Sequence, residues 1–344
     1  MDPSIPTYNH APPDLSLNPT GGNRWILQFQ PSITRRPTLF RKRRRSNPMF
    51  PSIPTLRPTF DRLIVLRMFF QPLTSLSWVY QLHYYLCFRT YLRRGLFEAT
   101  ESAGVIAKLV EEICRRHEYS LLKFRAYPEH IRCLISLRPD QDTATVVKTV
   151  KANASREYSS MKSLSPPVWA RGYLAQSVGT VRIEPVRVYL QLQAEHHGYA
   201  RRILPPVFRY RTDKPVPLAA AHSSFDLNHH LVLVTERRAS VFGSQSGRGL
   251  CEYWLRVAEK RGFAIDQVTV LPDHVHLLLR MPPKLTVQEC TLSLMNNAQH
   301  FIGRHFPEAL IQAKVDQLWR PSAFAATRGK MTTALLKQFL STPE

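Results

Sequence analysis

Residues 271–283 read LPDHVHLLLRMPP, and residues 127–139 read YPEHIRCLISLRP. Each is a short apolar run bounded by prolines, the pattern of a buried strand. Side chains alternate faces along a strand, so His274 and His276 point one way while Val275, Leu277 and Leu279 point into a core. His130 falls 144 positions before His274, and Arg132 stands where the second histidine would be.

Working outward, the resemblance between the two stretches extends through most of the chain. YYLCFRTYLRRGLF (84–97) lies over HHLVLVTERRASVF (229–242), with Leu86, Thr90 and Phe97 falling 145 positions before Leu231, Thr235 and Phe242. Helical periodicity follows in both, over AGVIAKLVEEICRRHEY (103–119) and GLCEYWLRVAEKRGF (249–263). After the histidine strands come second helices, TATVVKTVKANASREYSSM (143–161) and TVQECTLSLMNNAQHFIG (286–303). WARGYLAQSVG and WRPSAFAATRG close the halves, and Trp169, Gly179 and Tyr189 precede Trp319, Gly329 and Phe339 by a constant 150.

The order in each half is strand, helix, strands, helix, short strand or loop, terminal helix. That order predicts an α+β fold: an antiparallel sheet with helices mainly on one face, a ferredoxin-like layer present twice. The expected organisation is a basic, Pro/Arg-rich disordered segment over 1–75, one domain over 76–199, a proline-bearing linker over 200–223 and a second domain over 224–344. The cluster RKRRRSNP (41–48) lies in the first segment, and Met68 leaves open that the preceding residues are an over-extended translation start.

Composition narrows the partner. The chain has 344 residues, 47 Lys plus Arg against 25 Asp plus Glu, and a formal charge of +22, which favours a polyanion. Its five cysteines, Cys87, Cys114, Cys133, Cys251 and Cys290, have no CxxC or zinc-finger spacing and read as reduced core thiols. No apolar run is long enough to span a membrane, and the N-terminus lacks a signal-peptide pattern. A cytoplasmic, nucleoid-associated protein is expected.

Two side-chain groups suggest chemistry. Two imidazoles on one strand face can share a divalent metal. After Pro185 the pattern of VRVYLQLQAEHHGY is helical, which places Tyr189 and Gln193 on one helix face. The bland alternatives are an incidental HxH strand and a surface Tyr and Gln on an amphipathic helix. Tyr84, Tyr85, Trp169 and Tyr173 are candidates to stack on bases, with core packing the favoured role for each.

Taken together, HHLVLVTERRASVF, LPDHVHLLLRMPP, WARGYLAQSVG and Tyr189-x-x-x-Gln193 resemble the single-tyrosine HUH transposases, the family that includes REP-associated tyrosine transposases. The resemblance covers about 78–199 and again 225–344. It implies that His274, His276 and Gln193 hold Mg²⁺ or Mn²⁺ against a phosphate of single-stranded DNA. Tyr189 would then be the nucleophile that forms a 5′-phosphotyrosine, with hairpin ends of a mobile element as partner DNA.

The departures from the family pattern are complementary. Arg132 breaks the histidine pair of the first half, because a guanidinium stays protonated and ligates no metal. Phe339 replaces the tyrosine of the second half, and Pro343 stands at its Gln position. Family members work as dimers with composite sites, so the expectation is a pseudo-dimer within one chain. Tyr189 and Gln193 would join His274 and His276, leaving His130, Arg132 and Phe339 as a dead second site. The alternative is a decayed or domesticated protein that binds hairpin DNA without cutting it.

Overall fold

The structure is a computed structural model and describes residues 26–28, 71–163, 167–179 and 205–329. Each half folds as one βαββαβ unit. In the first half, β3 (His83–Arg89) leads to α1 (Thr100–Arg116), then β4 (Ser120–Tyr127), β5 (His130–Ser136), α2 (Thr143–Lys162) and β6 (Tyr173–Val178). The second half repeats this as β9 (Asn228–Thr235), α3 (Ser244–Arg261), β10 (Ala264–Leu271), β11 (His274–Arg280), α4 (Val287–His305) and β12 (Trp319–Arg328). A short helix, α5 (Pro307–Gln312), intervenes before β12.

Within each half the four strands are antiparallel in the orders β4-β5-β3-β6 and β10-β11-β9-β12. This is the ferredoxin-like order, so the expected α+β fold in two tandem copies is observed. Alternation along the strands sorts residues between faces. Leu231, Leu233, Val275 and Leu277 join the helix-side core, while Val232, Val234, Phe324 and Ala326 form a cluster on the other face.

Local chemistry fixes the helix ends. Asp142 accepts the Thr145 N–H at the start of α2, and Thr286 and Glu289 form a capping box on α4. Gly262, at φ +79°, terminates α3 in a conformation that L side chains rarely adopt. Four of the five cysteines are buried, Cys87 is partly so, and all are free thiols. Tyr84, Tyr85 and Trp169 are buried in the protein interior, and Tyr173 is half-buried.

The feature that sequence reading did not anticipate is an exchange of strands between the halves. β2 (Ser77–Gln81) runs into β3 through the buried Leu82, yet pairs parallel with β12 of the second half. β8 (Ser223–Asp226) runs into β9 through the buried Leu227, yet pairs parallel with β6 of the first half. Each half therefore lends its leading strand to the other's sheet. Outside this exchange, β1 (Ile26–Gln28) extends the larger sheet beside β2, and β7 (Phe208–Arg211), from the expected linker, extends it beside β10. The expected disordered segment thus contributes β1, and Leu73 near its end exchanges backbone bonds with the Asn296 side chain at 2.7 and 2.9 Å.

Contacts between the halves come in matched pairs, as an isologous interface requires. The Ala144 N–H donates to the Pro283 carbonyl at 3.0 Å, and that of Gln288, 144 positions after Ala144, donates to the Pro139 carbonyl at 2.9 Å. The Ser177 hydroxyl donates to the Arg328 carbonyl at 2.5 Å, while the hydroxyl of Thr327 donates to the Val178 carbonyl at 2.7 Å. Tyr84 and His229, themselves equivalent positions, meet at 2.8 Å. The backbones cross so closely here that a Cβ on Gly329 would lie 1.8 Å from the Ser177 carbonyl oxygen, so only glycine fits.

Candidate functional site

β11 places both of its histidines on the sheet face opposite the helices. Its flanking strands are β9 and β10, with His274 opposite Val234 and Leu271, and His276 opposite Val232 and Thr269. The two rings stand edge to face with centroids 5.1 Å apart. His274 is 5% exposed, and its Nδ1–H donates to the Asp273 carboxylate at 2.6 Å. Arg238 donates to the same carboxylate through Nε and a terminal nitrogen at 2.9 and 2.5 Å. Burial raises the Asp273 pKa, but the His274 ring and the Arg238 guanidinium outweigh it and hold the carboxyl below its ordinary range. The carboxylate is therefore ionised, and it fixes the His274 ring with Nε2 left over for another bond.

His276 is oriented differently. Its Nδ1 lies 3.1 Å from Nε2 of His230 on β9, and the two rings stack with 14° between their planes. Burial first, then the neighbouring His274 and His230 rings, pushes the His276 pKa down to about 3, against a small opposing pull from Asp273. Burial and the nearby Arg328 push His230 down to about 4. Both are neutral imidazoles at ordinary pH, the form that carries a lone pair for a metal.

A cavity of about 480 Å³ opens over this face, lined by His230, His276, Gln267 and Thr269 together with Gly179 and Gly329. The two glycines are the last described residues of β6's and β12's exits, and the Gly329 N–H donates to the Gly179 carbonyl at 3.0 Å. Both chain ends that lead to the predicted terminal helices thus leave from the rim that holds His276. A second cavity, of about 550 Å³, adjoins it and is lined in part by Arg211, Asp226, Asn228 and Arg328.

The equivalent place in the first half is closed. The Arg132 Nε–H donates to His130 Nε2 at 3.0 Å, and a terminal nitrogen donates to the Tyr127 hydroxyl at 3.1 Å. The guanidinium sits 4.2 Å from the Tyr127 ring centroid, and Tyr127 stacks on His130 at 4.6 Å. The ring nitrogen that would face a metal is thus occupied by a fixed cation. Glu129, which corresponds to Asp273, is exposed.

The structure brings His274 and His276 together, and separately His130 and Arg132. Tyr189, Gln193, Phe339 and Pro343 lie outside the described residues. Among the described residues no group of three or more His, Cys, Asp or Glu is arranged to hold a metal ion. His274 and His276, with ring centroids 5.1 Å apart, are two imidazoles of the type that can ligate a divalent ion, and any further ligands would have to come from other residue types or from elsewhere. Sequence reasoning missed Asp273, Arg238 and His230. The signals available were an acidic residue directly before the first histidine and a His-His pair whose members must face opposite sides of a strand. No helix among the described residues is long and apolar enough to cross a membrane.

Comparison with known proteins agrees with this architecture. The family model for IS200-like transposases matches residues 78–193 and again 223–342. The ISDra2 transposase TnpA of Deinococcus radiodurans is 24% identical over 116 residues, 34% of this chain and 83% of the relative. An IS200 insertion-sequence transposase of Salmonella typhimurium is 22% identical over 115 residues, 33% of this chain and 76% of the relative. A solved structure described as a transposase of Deinococcus radiodurans covers 36% of this chain and 95% of its own, with 23% identity and a TM-score of 0.28.

Proposed function

The chain belongs to the IS200-like transposase family, and on that premise we propose that it cuts and rejoins single-stranded DNA at one composite site shared by its two halves. His274, His276 and Gln193 hold Mg²⁺ or Mn²⁺, and Tyr189 is the nucleophile. The observation that carries this reading is that Gly179, ten positions before Tyr189, lines the same cavity as His276. Ten residues span about 15 Å as helix, so a tyrosine of the first half is within reach of imidazoles of the second.

The two halves act as the two subunits of a dimer, an assembly supported by the strand exchange and the reciprocal contacts. In its own half Tyr189 would find His130 Nε2 already occupied by Arg132. The Asp273–His274 and His230–His276 contacts preset two neighbouring imidazoles, of which His276 lines the cavity, and this removes the cost of ordering them at the moment of reaction.

A bound divalent ion would supply positive charge against the scissile phosphate. The Tyr189 phenol oxygen forms a bond to phosphorus as the bond from phosphorus to the 3′ oxygen breaks. The phenol gives up its proton and the departing oxygen gains one, leaving a 5′-phosphotyrosine and a free 3′-OH. Reversal on another 3′-OH rejoins the strand without an external energy source. The formal charge of +22 provides phosphate contacts whose strength falls steeply with salt.

The closure of the first-half site by Arg132 favours a second reading, a protein that binds hairpin DNA and no longer cuts. Incubation with single-stranded hairpin DNA and Mn²⁺ separates the two. The composite-site reading expects a nicked strand and a protein–DNA adduct that survives denaturation; retarded but intact DNA would favour the binder.

A further inference from the structure

Asp273 orients only one of the two imidazoles, and among the described residues no carboxylate performs that office for His276. The atom at its Nδ1 is His230 Nε2. We propose that His230 is the positioning residue for His276: its Nε2 accepts the His276 Nδ1–H, fixes that tautomer, and leaves the His276 Nε2 lone pair available to a divalent cation. The inference rests on the reading of His274 and His276 as the metal-holding pair.

Three observations support it. First, the His230 ring is held on both sides, stacked on His276 at 5.3 Å and edge-on to Phe324 at 6.1 Å, so its direction is set by packing. Second, if Nε2 accepts, the neutral ring carries its hydrogen on Nδ1, and that nitrogen is buried with no hydrogen-bond partner among the described residues. A buried unpaired donor is a net cost to the fold. An apolar ring would pack against Phe324 without that cost, so packing alone does not account for a histidine here. Third, the position equivalent to His230 in the first half is Tyr85, and there the histidine pair is itself broken by Arg132. The acceptor imidazole accompanies the intact pair.

The alternative proton arrangement makes the proposal testable. Were His230 Nε2 the donor, His276 Nδ1 would accept, its hydrogen would sit on Nε2, and no lone pair would face the cavity. Nitrogen-15 imidazole spectra of the metal-free chain, assigned by the signal lost in His276→Gln, distinguish the two without any change at position 230. The expected result is His276 protonated on Nδ1; protonation on Nε2 overturns the proposal.

Mn²⁺ titration calorimetry supplies the second readout. His230→Phe keeps the stacked ring but removes the acceptor, and should weaken Mn²⁺ binding about 10–100-fold with an unchanged melting temperature or a higher one. His230→Gln restores an acceptor oxygen at similar reach and should recover most of the affinity. Equal Mn²⁺ affinity in the wild type and His230→Phe overturns the inference. His274→Ala serves as the reference: if it abolishes binding while His230→Phe does not weaken it, only the inference falls. If His274→Ala leaves Mn²⁺ binding intact, the reading of the site falls and the inference with it.

Discussion

Strands β5 and β11 hold equivalent places in equivalent sheets, each beginning with a histidine that follows an acidic residue, and they differ decisively at one position. In β11, His276 stands beside His274, and the outer nitrogens of the two imidazoles are unclaimed among the described residues. In β5, Arg132 reaches back to His130 and fills the space that a cation would take. The contrast extends beyond that residue. Asp273 is buried, ionised and tied to both His274 and Arg238, whereas Glu129 is exposed. His230 meets His276, whereas Tyr85 stands at its counterpart. The proposed metal-holding pair therefore comes with a supporting set of residues, and the first half lacks the set as well as the second histidine.

Making the second half resemble the first is the severest test. His276→Arg should place a guanidinium against His274, abolish Mn²⁺ binding, and reduce strand cleavage to background, a loss on the order of 10³-fold or more. Calorimetry and a nicking assay read both effects. Cleavage that persists in this variant would mean that β11 is not the working strand.

Removing only the support should cost less activity. Asp273→Ala is expected to weaken Mn²⁺ binding about 10–100-fold, because the His274 ring loses the acceptor that orients it. The same change takes from Arg238, whose side chain is 10% exposed, the carboxylate it is paired with, and should lower stability by about 3–5 kcal/mol in a denaturant titration.

The converse change sharpens the comparison from the other side. Arg132→His restores an HxH strand to the first half, yet without a buried carboxylate it should bind a second Mn²⁺ about 10–100-fold more weakly than the first. The cleavage rate should not rise, since Phe339 offers no oxygen to attack with. A smaller effect is expected where the halves meet: Tyr84→Phe leaves His229 Nε2 unpaired in the interior and should cost about 1–3 kcal/mol of stability, read by thermal melting.

Much of this contrast is legible in the sequence because it is written in local spacing. The offsets of 144, 145 and 150 follow from the repeat, and the alternation in PDHVHLLLR by itself places His274 and His276 on one face. The strand exchange is not legible in the same way. SWVYQ and SSFD carry ordinary strand residues, and nothing in either pattern says which sheet will receive it; Leu82 and Leu227 only become crossing points once both sheets exist. Asp273 stood in view as the acid before His274, but its value comes from Arg238, 35 positions away. His230 was harder still, since its partner His276 lies on a neighbouring strand and the contact depends on register.

The central claim is that a tyrosine of the first half works with imidazoles of the second. Trapping the covalent adduct on hairpin DNA, digesting it and sequencing the DNA-bearing peptide tests this directly, alongside His130→Ala and His274→Ala chains. The account predicts DNA attached at Tyr189, an adduct that survives His130→Ala and one that vanishes with His274→Ala. DNA on a different residue, or an adduct that depends on His130 and ignores His274, would contradict it.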